Sequence, residues 1–529
     1  MDRNRGDMEM SDGVKEVVYG YEEALELTGH GRYNVGLLFA CFMVIVAMGI
    51  DIFGLGIIVT AATCDLGMNL QQIGVLSSMP FAGIIVMSYP WGYLSDTRGR
   101  RLVLLWAMGG SFVSAMLSSL APTWQVLAAL RFISSALSSA AESATYALLG
   151  ECCTSQHRAR YMLLMTSALM LTPTLYYVWG YFITKLNFTF YILGIAYRPW
   201  RLLTMVMALP LGLGALLLYF FNESPKFLAN IGRTKEAVDV MKRIHDINKR
   251  AVEKYPVKDI YLSEDCQESS SSVTLQSLWR QLAPLFKPPL LKRTLLLYYL
   301  TFVIYIANNS FAIILPTIFN VFFTSYASRE AADSFCNLLS TNGTVASVEN
   351  DVVPECSGIE VNTVWAGCAH GLAFFVLNAL LSQAAHKRKV LTISILLVAG
   401  VSAVLADLTG EALSGLVLFY LYLTTAMVFG IVSSYFVTLY PTSYRGMVAC
   451  IGMMVARVSA FAGTNLVSAA ISLHCAPTLY GAAGLVFTVC SEYTKFSPVK
   501  YFQQFRKSTK AVLGRTERGT RASTASSVW

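Results

Sequence analysis

Apolar and polar positions alternate along this chain in long blocks, not in the short periods of a water-soluble fold. A helix needs about 20 mostly apolar residues to cross a bilayer. Blocks of that kind lie near residues 35–63, 73–94, 102–121, 124–149, 161–184 and 200–221. After a polar interval six more lie near 293–320, 361–384, 390–407, 414–438, 447–471 and 475–490, the last being the shortest at about 16 residues. The pattern predicts an all-α polytopic membrane protein: twelve transmembrane helices in two six-helix pseudo-repeats. The divisions expected are a polar tail (1–34), a first half (35–221), a linker (222–292), a second half (293–490) with an outer loop over 322–360, and a basic tail (491–529).

Composition strengthens this reading. Of 529 residues, 55% are hydrophobic and 14% charged, where soluble domains carry about 25% charge. Mean hydropathy is +0.53. The net charge of +8 is unevenly placed. Residues 1–34 hold four Lys/Arg against eight Asp/Glu, and residues 491–529 hold eight against two. Neither end interleaves basic and aromatic residues as a nucleic-acid surface would, so no nucleic-acid partner is expected. A basic segment just after a membrane helix suits anionic headgroups of the lipid bilayer. The 11 cysteines are scattered without a C-x-x-C pair, which argues against a zinc site. The polar, acidic first 34 residues do not read as a cleavable leader, so the first apolar block is expected to act as the insertion signal.

Orientation follows from the Lys/Arg bias of short loops. Arg98, Arg100, Arg101, Arg158, Arg160, Lys387, Arg388, Lys389 and Arg445 fall on one side, against Lys185, Arg198, Arg329 and Arg201 on the other. Both termini and the linker are therefore expected in the cytosol. Within the linker, Asn222-Glu223-Ser224-Pro225 reads as a helix start, with Ser as cap and Pro at the first helical position. Ala237, Val240, Met241, Ile244 and Ile247 then recur at helical spacing over 232–252, predicting an amphipathic helix under the bundle. The halves echo one another. Thr97–Leu104 corresponds to Ala385–Thr392 and Thr154–Arg160 loosely to Pro441–Gly446, at offsets near 285–288.

One loop carries a specific motif. Gly92, Leu94, Asp96, Gly99, Arg100 and Arg101 fill every fixed position of G-x-L-x-D-x-x-G-R-R. Glycines permit a tight turn there, and Asp96 can pair with Arg100 or with a neighbouring helix end, latching one conformation. The motif resembles the loop 2–3 signature of the major facilitator superfamily. Glu223-Ser224-Pro225-Lys226-Phe227-Leu228 resembles the E-S-P-R-x-L element after helix six in its sugar-porter and organic-ion branches. Tyr197-Arg198-Pro199-Trp200-Arg201, His245-Asp246-Ile247-Asn248-Lys249-Arg250 and Asp51-Ile52-Phe53 resemble the synaptic vesicle glycoprotein 2 family. The resemblance covers roughly residues 20–475. It implies the twelve-helix major facilitator fold and a small organic-ion substrate. In the fourth helix, where the family is glycine-rich, this chain has Ser135, Leu137 and Ser139, and Thr438 stands where an acid often precedes the second-half Y-P-[ST] element.

Charges inside membrane helices are costly and usually face a cavity or a partner. Asp51 falls in the first helix, Arg131 and Glu142 in the fourth, and Arg457 in the eleventh. Arg131 and Glu142 are 11 residues apart, nearly on one helical face but about 16 Å apart along the axis, too far to pair. Asp51 is expected to recognise substrate charge or to couple transport to protons: burial disfavours its charged form, and Arg131 or a cationic substrate favours it. Tyr176, Tyr177, Trp179, Tyr298, Tyr299, Tyr305, Asn308 and Asn309 offer a cavity lining, and such aromatics also serve helix packing. Each charge has a structural alternative as an ion pair within the bundle.

Asn187 and Asn342 begin N-glycosylation sequons on the expected outer side, with Asn342 in the longer loop. Cys336 and Cys356 are the two cysteines of that loop and are expected to pair in an oxidising compartment. No phosphate-loop, H-E-x-x-H or G-x-S-x-G motif occurs, so neither ATP-driven pumping nor enzyme chemistry is expected, and no cofactor or metal. The chain reads as a monomeric secondary transporter in the plasma membrane or an intracellular vesicle, gated through Gly92, Asp96, Gly99, Arg100, Arg101, Glu223 and Arg445. The alternative is a membrane trafficking or receptor protein that kept the fold without transport, which the altered fourth helix and Thr438 favour.

Overall fold

The structure is a computed structural model. It describes residues 18–249 apart from 193, then 255–261, 283–288, 291–328, 334–340, 360–383, 388–438, 442–471 and 474–495. A short strand β1 (Val18–Gly20) and helix α1 (Tyr21–Leu27) precede the membrane. The first crossing is α2 (Arg32–Phe53) followed by α3 (Leu55–Ala62), 31 residues interrupted at Gly54. Then come α4 (Leu70–Arg98), α5 (Arg100–Ser118), α6 (Trp124–Ser138) with α7 (Ala140–Cys152), and α8 (Ser155–Thr184). A hairpin, β2 (Phe190–Ile192) with β3 (Ile195–Tyr197), leads into α9 (Pro199–Tyr219). The second half contains α12 (Leu291–Ser328), a short α13 (Phe335–Ser340), α14 (Val361–Gln383), α15 (Arg388–Leu408), α16 (Ala412–Leu423) with α17 (Ala426–Thr438), α18 (Thr442–Ala470) and α19 (Cys475–Lys495).

Eight of these crossings are long and apolar enough to span a membrane by length and composition among the described residues. The other four crossings of the twelve-helix fold are α6–α7, α8, α14 and α19. The helices are apolar around most of their circumference, as bundle helices in lipid are. Phe39, Trp106, Leu216 and Leu466 point outward, where hydrocarbon is the solvent.

The fourth crossing breaks at Ser139 for a local reason. Ser135 donates to the Arg131 carbonyl at 2.6 Å and Ser139 to that of Ala136 at 2.8 Å. Such back-bonding competes with the helical ladder and bends it. Close approach of α4 comes from Gly83, where a Cβ would sit 2.5 Å from the Phe132 carbonyl oxygen. The small residue required at this crossing thus stands on α4, which is why α6 tolerates serine where the family has glycine.

Several boundaries differ from expectation. α12 continues to Ser328 and α13 follows, because Phe322, Phe335 and Phe419 bury against one another at the end away from the basic loops. α19 reaches Lys495, well past the apolar block ending at 490, since Tyr493 turns inward to share a 2.8 Å hydrogen bond with Tyr435. The described parts of the polar tail and the linker, within 18–27 and 225–261, fold together at the end bearing the basic loops. β1 pairs in parallel with β4 (Asp259–Tyr261). Tyr21, Ala24 and Leu25 of α1 pack with Phe227 and Leu228 of α10 (Pro225–Asn230) and with Ala237 and Met241 of α11 (Thr234–Lys249). On α11 the buried face is Ala237, Val238, Met241, Ile244 and His245, whereas Ile247 is exposed. Asn248 ties this cap to the first crossing: it donates to the Gly29 carbonyl at 3.0 Å and to Asn34 Oδ1 at 2.7 Å, and accepts from the Tyr33 N–H at 3.0 Å.

Candidate functional site

Two ion pairs within the bundle and one loop cluster account for most of the singled-out charges. The first pair lies inside the first half. Arg131 Nη1 is 3.2 Å from Asp51 Oδ1, with both side chains only 1–2% exposed. Ser134 and Ser138, three and seven residues beyond Arg131 on the same face of α6, donate to Asp51 Oδ1 and Oδ2 at 2.8 and 2.9 Å. Ser111 of α5 lies 3.0 Å from Ser134. The carboxylate is satisfied on both oxygens, whereas Arg131 Nε and Nη2 have no hydrogen-bond partner among the described residues. Burying such a pair is favourable only when further hydrogen bonds complete it, and the two serines supply them. The sequence reading missed Ser111, Ser134 and Ser138; the i, i+3, i+7 spacing from Arg131 was the available signal for Ser134 and Ser138, and Ser111 on α5 carried none.

The second pair crosses between the halves. Arg457 Nη2 of α18 is 2.6 Å from Glu142 Oε2 of α7. Arg457 is 6% exposed and Glu142 30%. Glu142 is the third residue after the Ser139 break, so its carboxylate sits in the first turn of α7, where the helix dipole favours a negative charge. The Arg457 guanidinium lies 5.9 Å from the Tyr305 ring of α12, which meets Phe429 edge-on at 4.9 Å. Asn308 and Asn309, one turn further along α12, are half-buried and joined by a 2.9 Å hydrogen bond. The structure therefore gathers Glu142, Arg457, Tyr305 and the two asparagines, and separates them from Asp51 and Arg131. As expected, Arg131 and Glu142 do not pair with each other; each has its own partner.

Other contacts join the halves toward the opposite end from the basic loops. Thr60 and Thr317 hydroxyls are 2.8 Å apart. A Cβ on Gly56 would collide with the Ile313 carbonyl oxygen, so α3 and α12 touch backbone to backbone. Thr174 of α8 donates to the Cys368 carbonyl of α14 at 3.4 Å. Tyr176 and Tyr177 are buried in α8, and the Tyr177 ring occupies the space where Gly367 lacks a side chain.

The loop cluster sits at the basic end, within the first half. Gly99 takes φ +105°, a conformation that suits glycine. The chain turns there so that Glu223 accepts from the N–H groups of Arg101 (3.0 Å) and Leu102 (3.3 Å) at the start of α5. Arg101 reaches the Tyr219 carbonyl at 2.7 Å, closing the C-terminus of α9. Arg100 Nε is 3.2 Å from Glu151 Oε2, and Glu151 also accepts from Ser224. Asp96 Oδ1 lies 3.2 Å from Arg100 Nη2 but is 76% exposed, where an ion pair contributes only about 0–1 kcal/mol. Glu151, missed in the sequence, is the half-buried partner of the motif. Gly92 faces open space. The side chain of Arg445 lies outside the described residues.

At the other end Asp65, also missed, receives Arg198 at 2.8 Å and Trp200 Nε1 at 2.8 Å, and Arg201 donates to the Ser119 and Ala121 carbonyls. Asn187 is exposed in the loop after α8. Asn342 and Cys356 lie outside the described residues. The expected Cys336–Cys356 bridge is corrected: Cys336 is bonded to Cys475, with Cα atoms 5.4 Å apart. α13 folds back over the start of α19, which brings together two cysteines 139 positions apart in sequence.

Two six-helix halves, joined through a polar pair in their interior and closed together at one end, define a membrane protein of the transporter-fold class. The pattern of the Major Facilitator Superfamily matches residues 39–464, and the chain belongs to that superfamily. Synaptic vesicle glycoprotein 2C from Mus musculus is 28% identical over 262 residues, covering 47% of this chain and 35% of that protein. Synaptic vesicle glycoprotein 2B from Homo sapiens is 26% identical over 265 residues, covering 47% and 38%. The chain thus matches little more than a third of the length of these relatives. The solved xylose transporter XylE from E. coli, in a partially occluded inward-open conformation, superimposes with a TM-score of 0.61 at 16% identity, covering 88% of this chain and 100% of that one. This likeness carries the twelve-helix, two-repeat fold.

Proposed function

We propose that the protein is a secondary transporter that moves a small organic ion by alternating access, with the basic end and both termini in the cytosol and Asp51–Arg131 coupling substrate movement to protons. The observation that carries the reading is the Glu142–Arg457 pair, a charged contact made between the two halves in the interior of the bundle. A purely structural bundle gains little from such a pair over well-packed apolar residues, whereas halves that rock about a central site need a contact they can make and release. The contacts of Gly56 with Ile313 and of Thr60 with Thr317 describe a state closed on the outer side. Asp51 with its two serines forms a site whose charge balance changes when the carboxylate takes a proton. The Lys/Arg bias supports the orientation. The sequence likeness to synaptic vesicle glycoproteins supports a second reading, a trafficking or receptor protein without transport. Purified protein in liposomes, screened for saturable uptake of organic cations, anions, zwitterions and sugars with and without an imposed pH gradient, separates them. Transport predicts saturable uptake that the gradient accelerates, and the second reading predicts none.

A further inference from the structure

We propose that Glu142 and Arg457 form a two-point receptor for a substrate carrying both a positive and a negative group, so that the substrate class is a small zwitterion. The inference rests on the alternating-access reading above. The pair links α7 of one half to α18 of the other at 2.6 Å, so any rocking that opens the interior to one side pulls these charges apart. Arg457, 6% exposed, is then left in a low-dielectric interior without its partner, and Glu142, 30% exposed, loses its counter-charge. Arg457 has no route to neutrality, since guanidinium stays protonated in proteins. Its Nε is buried without a hydrogen-bond partner among the described residues, and Nη2 on the same edge is held by Glu142, so release of Glu142 frees that edge for the two parallel bonds that a carboxylate accepts. Glu142 is the more accessible of the two and needs a cation. Tyr305, already holding a guanidinium near its ring, offers a π face to a substrate ammonium as the pair opens. An anion alone satisfies only Arg457, and a cation alone only Glu142. A molecule bearing both replaces each protein charge with one of its own and leaves none stranded. Asn308 and Asn309 add neutral polar groups one turn away. The Asp51 carboxylate already accepts from Arg131, Ser134 and Ser138, so it does not compete for the positive group.

The test is binding to purified full-length protein in lipid nanodiscs, by calorimetry or thermal shift. The probes are ω-amino acids of two to six carbons and a trimethylammonium carboxylate. Each is matched with its methyl ester, which keeps only the cation, and with an analogue lacking the amine, which keeps only the anion. The expected result is saturable binding of at least one zwitterion, with both single-charge analogues weaker by at least about tenfold, the low end of what one charge-assisted hydrogen bond contributes. Glu142→Gln should abolish the advantage of the zwitterion over the anion-only analogue, which no longer displaces a protein carboxylate and should bind at least as tightly as before. Arg457→Gln should do the converse. The exchanged pair Glu142→Arg with Arg457→Glu keeps an ion pair between the halves and serves as a folding control. An anion-only or cation-only analogue that binds as tightly as its zwitterion overturns the proposal, as does a panel in which no zwitterion binds. Liposome uptake of the bound probe is read separately: binding without uptake or exchange sinks the transport reading while showing that the two-point site exists.

Discussion

Removing Arg131 should destabilise the protein more than removing Asp51 and Arg131 together. Asp51 accepts from Arg131, Ser134 and Ser138 and is almost fully buried. Arg131→Gln leaves the carboxylate with its two hydroxyl donors and no counter-charge. Stranding one member of a buried pair costs about 3–5 kcal/mol. Adding Asp51→Asn removes the stranded charge and keeps the shape, so the double variant should recover most of that loss. Ser138→Ala deletes one hydrogen bond to a charged acceptor, worth about 1.5–3 kcal/mol, and should fall between wild type and Arg131→Gln. The assay is the apparent melting temperature of purified protein in one detergent, read as a series: wild type, Ser138→Ala, the double variant and Arg131→Gln. The reasoning fails if Arg131→Gln melts at or above the double variant, because the pair then has no electrostatic coupling.

Three further outcomes follow from the geometry. Glu151→Gln should slow transport more than Asp96→Asn at matched surface expression, because Glu151 is the half-buried partner of Arg100 and Asp96 is 76% exposed; equal rates for Glu151→Gln and wild type would remove this cluster from the mechanism. Cys336→Ser and Cys475→Ser should each expose one new thiol to an alkylating reagent on unfolding and should lower thermal stability equally, as expected of two ends of one bridge; unequal effects, or labelling of Cys475 in the wild type, would contradict the pairing. Asp51→Asn should abolish the acceleration of uptake by a pH gradient while exchange of pre-loaded substrate persists; an unchanged pH profile would make the residue structural.

The architecture was legible because membrane helices advertise themselves by length and hydropathy, and the G-x-L-x-D-x-x-G-R-R loop added family-specific spacing. The four cost-bearing charges were legible for the same reason: Asp51, Arg131, Glu142 and Arg457 stand out in apolar blocks, although which pairs with which is a matter of helix rotation and tilt that spacing does not report. What escaped was either polar but ordinary or distant in sequence. Ser134 and Ser138 looked like neighbours of a missing glycine pattern, while the small residue at that crossing was Gly83 on another helix. Glu151 lay outside the motif that it completes. Cys475 read as the first residue of a membrane helix, so the disulfide was sought inside one loop. The acidic tail read as polar, but Tyr21, Ala24 and Leu25 supply just enough apolar surface to fold against the linker.

The central claim is that the two halves alternate about an interior site, and a reversible outer cross-link tests it most directly. Thr60→Cys and Thr317→Cys place thiols where the hydroxyls now lie 2.8 Å apart, so oxidation should lock the outer side shut. In liposomes the account predicts saturable uptake by the reduced double variant, loss of that uptake on cross-linking and its return on reduction. Undiminished uptake by fully cross-linked protein, or no saturable uptake of any organic ion by the reduced form, would contradict it.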